Sequence, residues 1–218
     1  MGVSAGPDII QDGLVLNLDA SDRNSYPGSG TTWTDISGNG NNATINTTYH
    51  VYTAGLYFNI STDGTAAQAI TLSSFRSNLI NAHTLECFIY PINGQPAMLS
   101  GQCGGNDCWS YGESGNYYDR TGATNIGTGY SANIWQQLVI TFNGASTATS
   151  YKNALQVSTS SSWSMASLSQ GTAYIAARIW APIASQYRLS AMRFYNRALS
   201  AQEILQNYNA QKSRFGLT

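Results

Sequence analysis

The 218-residue chain has 10 Lys and Arg against 11 Asp and Glu, a formal net charge of -1, with 42% hydrophobic and only 10% charged residues. This balance excludes the highly charged, core-poor class of disordered chains, and a chain of this length buries about 70% of its unfolded surface in one core. Ser, Thr and Asn supply 65 residues, and their short polar side chains favour turns and strand faces over helix interiors because they compete for backbone hydrogen bonds.

Met1 to Gly13 has no basic cluster and no apolar run of signal-peptide length. No stretch reaches the roughly 18 to 20 apolar residues of a membrane span, so neither secretion nor a membrane is expected. From Gly13 to Asp19, Leu14, Leu16 and Leu18 alternate on one face of a half-buried strand. Ser21 to Gly30 is a loop. After Trp33, the run T-D-I-S-G-N-G-N-N is a tight turn whose Gly and Asn residues tolerate positive φ, leading into a strand at Ala43 to Ile45.

Further strands are predicted at Gly55 to Ile60, Ala69 to Leu72, Thr84 to Tyr90, Ala97 to Ser100, Trp135 to Phe142, Ala148 to Tyr151, Leu155 to Val157, Ala173 to Ala177 and Tyr187 to Tyr195. Short strands separated by turn residues predict an all-β, two-sheet antiparallel sandwich. Gly101 to Tyr130 reads as a Gly-rich loop region, and Ser158 to Ser162 as a surface hairpin loop. Ser200, followed by Ala201, Gln202 and Glu203, forms a capping box that opens one short C-terminal helix with Ile204, Leu205 and Tyr208 on its apolar face. No repeat or linker divides two cores. The predicted organisation is an N-terminal arm at 1–12, one domain at 13–210 and a C-terminal tail at 211–218.

Charge is segregated: residues 1–119 hold ten acids and two bases, and residues 120–218 hold eight bases and one acid. Pairing of strands from the two halves makes this internal matching, and without a dense basic run no nucleic-acid partner is expected. Cys87, Cys103 and Cys108 lack zinc-site spacing. Cys103 and Cys108 either bridge in an oxidising setting or remain free thiols.

A glycosidase of sandwich fold needs two carboxylates flanking the scissile bond, commonly from one strand with E-x-D-x-E spacing so that alternate side chains reach the same face, and that spacing is absent. Glu86 stands alone on its strand, and His50 and His83 are isolated, so no catalytic residue is assigned and an enzyme is not expected. Trp109, Tyr111, Tyr117 and Tyr118, with Asp107 and Asp119, form the candidate glycan site, because aromatic faces stack on sugar C-H surfaces and carboxylates accept hydroxyl donors. The same aromatics also fit strands that alternate into a core.

Several segments together resemble the laminin-G-like or concanavalin A-like jelly rolls: Leu14 to Ala20, the turn from Trp33 to Asn42, Thr84 to Pro91, Trp135 to Gly144 with the hairpin at Tyr151 to Leu155, and Arg193 to Tyr208. Ala154 stands where the hairpin usually has Gly, and Ser190 where Asp is frequent. The resemblance implies a concanavalin A-like jelly roll and a possible Ca2+ on the rim, for which Asp63, Asp107, Asp119 and Asn125 are candidates by residue type. No other cofactor is implied.

The opening G-L-V-L-N-L-D-A, the Y-P-G-S-G-T-T-W segment and the ending N-Y-N-A-Q-K-S-R-F-G-L are similar to virion proteins of tailed bacteriophages. This similarity implies a structural protein exposed on the virion, made in the host cytoplasm without a signal peptide. Its partners would be capsid, neck, tail or fibre subunits, in several copies or as a homo-oligomer, and a cell-surface glycan is a further implied partner. In this setting the terminal arms are expected to attach the subunit, with Lys212, Arg214 and Phe215 as contacts. The other reading has Lys212 and Arg214 complementing the helix end and Phe215 packing on the sandwich edge.

Overall fold

The computed structural model describes residues 8–53, 55–73, 75, 81–94, 96, 98–103, 106–113, 116–118, 124–163, 172–177 and 184–218, with the backbone alone for 102–103, 106–113 and 118. The alternating segments become β1 (Leu14–Asp19), β2 (Thr32–Trp33), β3 (Ala43–Thr44), β4 (His50–Thr53), β5 (Tyr57–Thr62), β6 (Ile70–Leu72), β7 (His83–Gly94) and β8 (Leu99–Cys103). They continue as β9 (Asn106–Glu113), β10 (Asn116–Tyr118), β11 (Asn125–Gly127), β12 (Gln136–Phe142), β13 (Ala148–Lys152), β14 (Leu155–Ser160), β15 (Ala173–Ile175) and β16 (Ser185–Tyr195). One helix, α1 (Ala201–Gln211), runs into a 3-10 turn at Lys212–Phe215.

The first sheet has the order β14-β13-β12-β7-β16-β5-β4, and the second β11-β10-β9-β8-β15-β6-β3-β2, all pairs antiparallel. One edge of β16 is long enough for two partners, β5 beside Ser185 to Leu189 and β1 beside Ala191 to Tyr195. Leu85, Cys87 and Ile89 of β7, Leu138 and Ile140 of β12, and Tyr187, Leu189, Met192 and Phe194 of β16 face Ile70, Leu72, Leu99 and Ile175 of the second sheet in one core. The inward residues Leu189 and Met192 are three apart, not two. A β-bulge between Leu189 and Ala191 resets the alternation, so that Arg188 before it and Arg193 after it both lie on the outer face.

The turn after Trp33 is a clamp on β1. Asp35 Oδ1 accepts from the N-H groups of Asn17 (2.9 Å) and Ser37 (2.9 Å), and its Oδ2 accepts from Asn41 N-H (2.9 Å). Asn39 and Asn41 then donate side-chain amides to the Leu14 and Val15 carbonyls at 3.1 and 2.9 Å. The motif thereby satisfies the edge of β1 that no strand pairs.

The helix begins as the sequence predicts. Ser200 Oγ accepts from Glu203 N-H at 3.3 Å and Ser200 N-H donates to Glu203 Oε2 at 2.8 Å. Arg197 grips the same carboxylate through both terminal nitrogens at 2.6 and 3.0 Å, and these hydrogen bonds hold the Glu203 pKa down to about 2. Ser200→Ala removes one arm of the box and is expected to cost about 1 kcal/mol, a fall of about 2 to 4 °C in a thermal melt. An unchanged melt would show that the Arg197 contact alone fixes the helix start.

The structure corrects several boundaries. Much of Gly101 to Tyr130 is β-sheet, since β9, β10 and β11 occupy it, and Ser158 to Ser160 extend β14. Of residues 8–12, Ile9 and Ile10 are half-buried against the cluster of Leu14, Val139 and Tyr195, and Ile10 N-H donates to Asn207 Oδ1 at 2.8 Å, while Asp8, Gln11 and Asp12 are exposed. The tail at 211–218 completes α1, turns, and lies on the first sheet. The hairpin between β13 and β14 is a two-residue turn with Asn153 at φ 50° and Ala154 at φ 63°. Ala therefore occupies a left-handed position without Gly. The charge segregation resolves internally, because Asp12, Asp19 and Glu86 of the first half pair with Arg193, Arg197 and Arg214 of the second.

Candidate functional site

The outer face of the first sheet is divided into a covered and an open part. Under α1, Glu86 is 1% exposed and accepts from Gln137 Nε2 (2.6 Å) and Asn207 Nδ2 (2.9 Å). Arg193, also 1% exposed, lies between Glu86 (3.6 Å) and Asp19 (3.5 Å). Arg214 closes the chain of charges on Asp19 Oδ1 at 2.9 Å and on the Ser21 hydroxyl. Burial raises the Asp19 carboxyl, but the charges of Arg214 and Arg193 outweigh it and leave the pKa below its ordinary 3.8. Glu86 has no access to a substrate and serves as a structural anion.

Next along the sheet, the Phe215 ring stacks on Phe88, with centroids 4.9 Å apart and an interplanar angle of 13°, and meets Trp135 at 4.8 Å. Arg214 lies over the Phe215 ring and Lys212 is 5.7 Å from the Tyr208 ring. The tail residues expected to contact a partner are thus engaged within their own chain. Their contacts follow from the apolar outer patch formed by Phe88 of β7 and Ala191 of β16, which Phe215 and Leu217 cover together with Tyr208.

Beyond Phe215 the face is open. Arg188 of β16 stands opposite Asn59 of β5 and Tyr90 of β7 in the ladder. Its guanidinium carbon is 5.1 Å from the Tyr57 ring centre and 4.6 Å from the Tyr90 ring centre. Trp135 closes the group at 5.5 Å from Tyr57 and 5.8 Å from Tyr90. The four side chains are all half-buried. Arg188 Nε is shielded from solvent without an acceptor, and no carboxylate among the described residues pairs with the guanidinium. Two residues further along β5 and β16, and three along β7 because of a second β-bulge beside Gln186, Ser61, Gln186 and Asn93 line up across the three strands. They border a cleft of about 230 Å³ that Thr62, Gly94, Ala184 and Ser185 complete. Three aromatic rings and one cation therefore adjoin a cleft of hydroxyls and amides.

This is not the site expected from the sequence. Tyr117 is 0% exposed and packs in the core, because β10 is a sheet strand whose alternate residues turn inward. It cannot stack on a sugar, and its replacement would open the core instead of testing a surface site. Asp107, Trp109 and Tyr111 lie on β9 and Tyr118 on β10 by backbone, with their side chains outside the described set, as is Asp119 altogether. The side chains of Cys103 and Cys108 are likewise outside it, and Cys87 is a buried free thiol. Of the cation candidates, Asp63 caps its own turn by accepting from Thr65 N-H (2.8 Å), and Asn125 is on the edge strand β11. No group of three or more His, Cys, Asp or Glu side chains suited to a metal exists among the described residues. Ser190, at the Asp-frequent position, donates to the Leu56 carbonyl.

The two stacked antiparallel sheets with a single C-terminal helix define a jelly-roll sandwich. A sequence model of the concanavalin A-like lectin/glucanases superfamily matches residues 63–205, and the chain belongs to that superfamily. No curated protein sequence matches it. Among solved structures, a mutant of HCR/D superposes with a TM-score of 0.69 at 15% identity, covering 94% of this chain and 53% of that one. The binding domain of Paraclostridial mosquitocidal protein 1 gives 0.65 at 18% identity, covering 92% and 52%. The sialidase of Trypanosoma rangeli, solved in complex with sialic acid, gives 0.64 at 17% identity, covering 92% of this chain and 33% of the enzyme. The chain thus spans about a third of the sialidase and about half of the other two, and the likeness is one of fold.

Proposed function

We propose that the chain is a non-catalytic carbohydrate-recognition module, carried as a structural subunit on the surface of a bacteriophage particle. The observation that carries the recognition reading is the open face of the first sheet, where Tyr57, Tyr90, Trp135 and Arg188 adjoin the cleft of Ser61, Asn93 and Gln186. Aromatic rings supply stacking surface, and hydroxyls and amides supply the donors and acceptors that a sugar ring exhausts. Membership of a superfamily of lectins and glucanases supports the same ligand class. The non-catalytic reading is supported, among the described residues, by the structural use of three carboxylates: Glu86 is sequestered, Asp35 clamps β1, and Glu203 caps α1. The particle setting rests on the similarity of the opening and closing segments to tailed-phage virion proteins.

A glycan array probed with the purified protein tests recognition. Binding is expected, and the double variant Tyr90→Ala/Asn93→Ala should lose at least about ten-fold in affinity, the removal of about 1.4 kcal/mol, while circular dichroism stays unchanged. Binding that survives in the double variant would move recognition elsewhere, and array silence would overturn it. Mass spectrometry of purified particles tests the setting, and the absence of the chain from them would overturn it.

A further inference from the structure

We infer that the open face takes a carboxylated sugar, with Arg188 as the residue that selects the carboxylate; this rests on the carbohydrate-recognition reading and narrows it to acidic glycans. Rings and amides suffice for a neutral sugar, and a half-buried guanidinium among them adds a charge that only an anionic ligand matches. Here Arg188 occupies the middle strand of the face, flanked by Tyr57 and Tyr90. Its charge is unmatched by any described carboxylate, and its Nε has no acceptor. Arg193 and Arg214 also carry an Nε without an acceptor, so it is the missing carboxylate that sets Arg188 apart from the other described arginines of the second half. Arg193, Arg197 and Arg214 each have a carboxylate within 3.6 Å. Arg188 is thus held in place between rings with no anion of its own among the described residues.

The physical chemistry of that arrangement favours an incoming carboxylate. A planar guanidinium donates two parallel hydrogen bonds to a carboxylate, a geometry that an ammonium does not offer. Rings on two sides hold the side chain in place, so little rotamer freedom is lost when the ligand binds. They also displace water, which strengthens the attraction between opposite charges relative to bulk solvent. Asn59, across the ladder from Arg188, has its Nδ2 engaged by Thr53 Oγ1 at 2.8 Å. The cleft of Ser61, Gln186 and Asn93 beside Arg188 receives the rest of the sugar.

The test is calorimetry of the full chain with three carboxylated probes, sialyllactose, oligogalacturonate and hyaluronan oligosaccharide, each beside its carboxyl-reduced neutral counterpart. At least one carboxylated probe is expected to bind ten-fold or more tightly than its reduced form. Arg188→Gln should erase that preference and Arg188→Lys should restore it only in part, with both variants melting within a few degrees of the parent. Equal binding of acidic and neutral forms, lost in Tyr90→Ala/Asn93→Ala, would overturn the carboxylate inference and leave carbohydrate recognition standing. Absence of binding to all six probes would overturn the carboxylate inference. The glycan array separates the two failures, since neutral glycans bound there keep the broader reading and complete silence removes it. A preference unchanged in Arg188→Gln would assign the selectivity to another cation and overturn the role of Arg188.

Discussion

Replacing Arg193 by Met is expected to lower the unfolding free energy by about 3 to 5 kcal/mol, because removing one partner of a buried charge group leaves the other without compensation. Arg193 is 1% exposed and its guanidinium contacts Glu86 and Asp19 at 3.6 and 3.5 Å. Those separations are ion pairs, longer than hydrogen bonds, so the cation acts mainly by neutralising two anions under α1. Without it, Glu86 keeps its bonds from Gln137 and Asn207 but loses its counter-ion in a site closed to water. For a chain of this size the loss corresponds to a fall of about 6 to 20 °C in the thermal midpoint. The double variant Glu86→Gln/Arg193→Met should recover part of the loss, since it removes the stranded anion together with the cation. Parent-like stability of Arg193→Met would show that Gln137, Asn207 and Arg214 suffice to hold the two carboxylates.

Deleting residues 212–218 is expected to cost about 2.5 to 6 kcal/mol, combining the loss of roughly 1.5 to 3 kcal/mol for a buried aromatic with about 1 to 3 kcal/mol for a buried polar group left unsatisfied. Phe215 would leave Phe88 and Trp135 uncovered, and Asp19 would lose its 2.9 Å contact with Arg214. The pH dependence identifies the second contribution. Burial raises the Asp19 pKa, yet Arg214 and Arg193 bring it below the ordinary 3.8. The pair therefore stabilises fully above the ordinary carboxylate pKa, and its contribution fades as pH falls through the lower folded value. The gap in stability between the intact and shortened chains should be constant near neutrality and narrow below pH 3.8. Denaturant titrations of both chains at several pH values measure it. An arm made for a partner would detach at no cost, so equal stability of the two chains would overturn the docked tail and return Lys212, Arg214 and Phe215 to a binding role.

The sequence by itself determined the elements whose signal is local. Leu14, Leu16 and Leu18 alternate in six residues, Ser200 and Glu203 are one helical turn apart, and the Asp35 turn carries its own acceptor and donors, so each was legible without knowing what it packs against. The antiparallel sandwich followed from the same local signals. Tertiary structure alone decided the functional face. Tyr57, Tyr90, Trp135 and Arg188 come from four segments spread over 132 positions, and nothing in any one segment distinguishes a ring on the outer face from a ring in the core. The bulge at Ser190 makes this explicit. Simple alternation from Tyr187 to Tyr195 puts Arg188 and Arg193 on opposite faces, and one extra residue in the ladder places both outside. Likewise Tyr117 reads as a sugar platform among Gly and Asn neighbours, but strand pairing with Tyr111 and Ile126 turns it into the core. Side-chain types fix what chemistry is available, whereas pairing register fixes which face presents it, and register is a property of partners far apart in the chain.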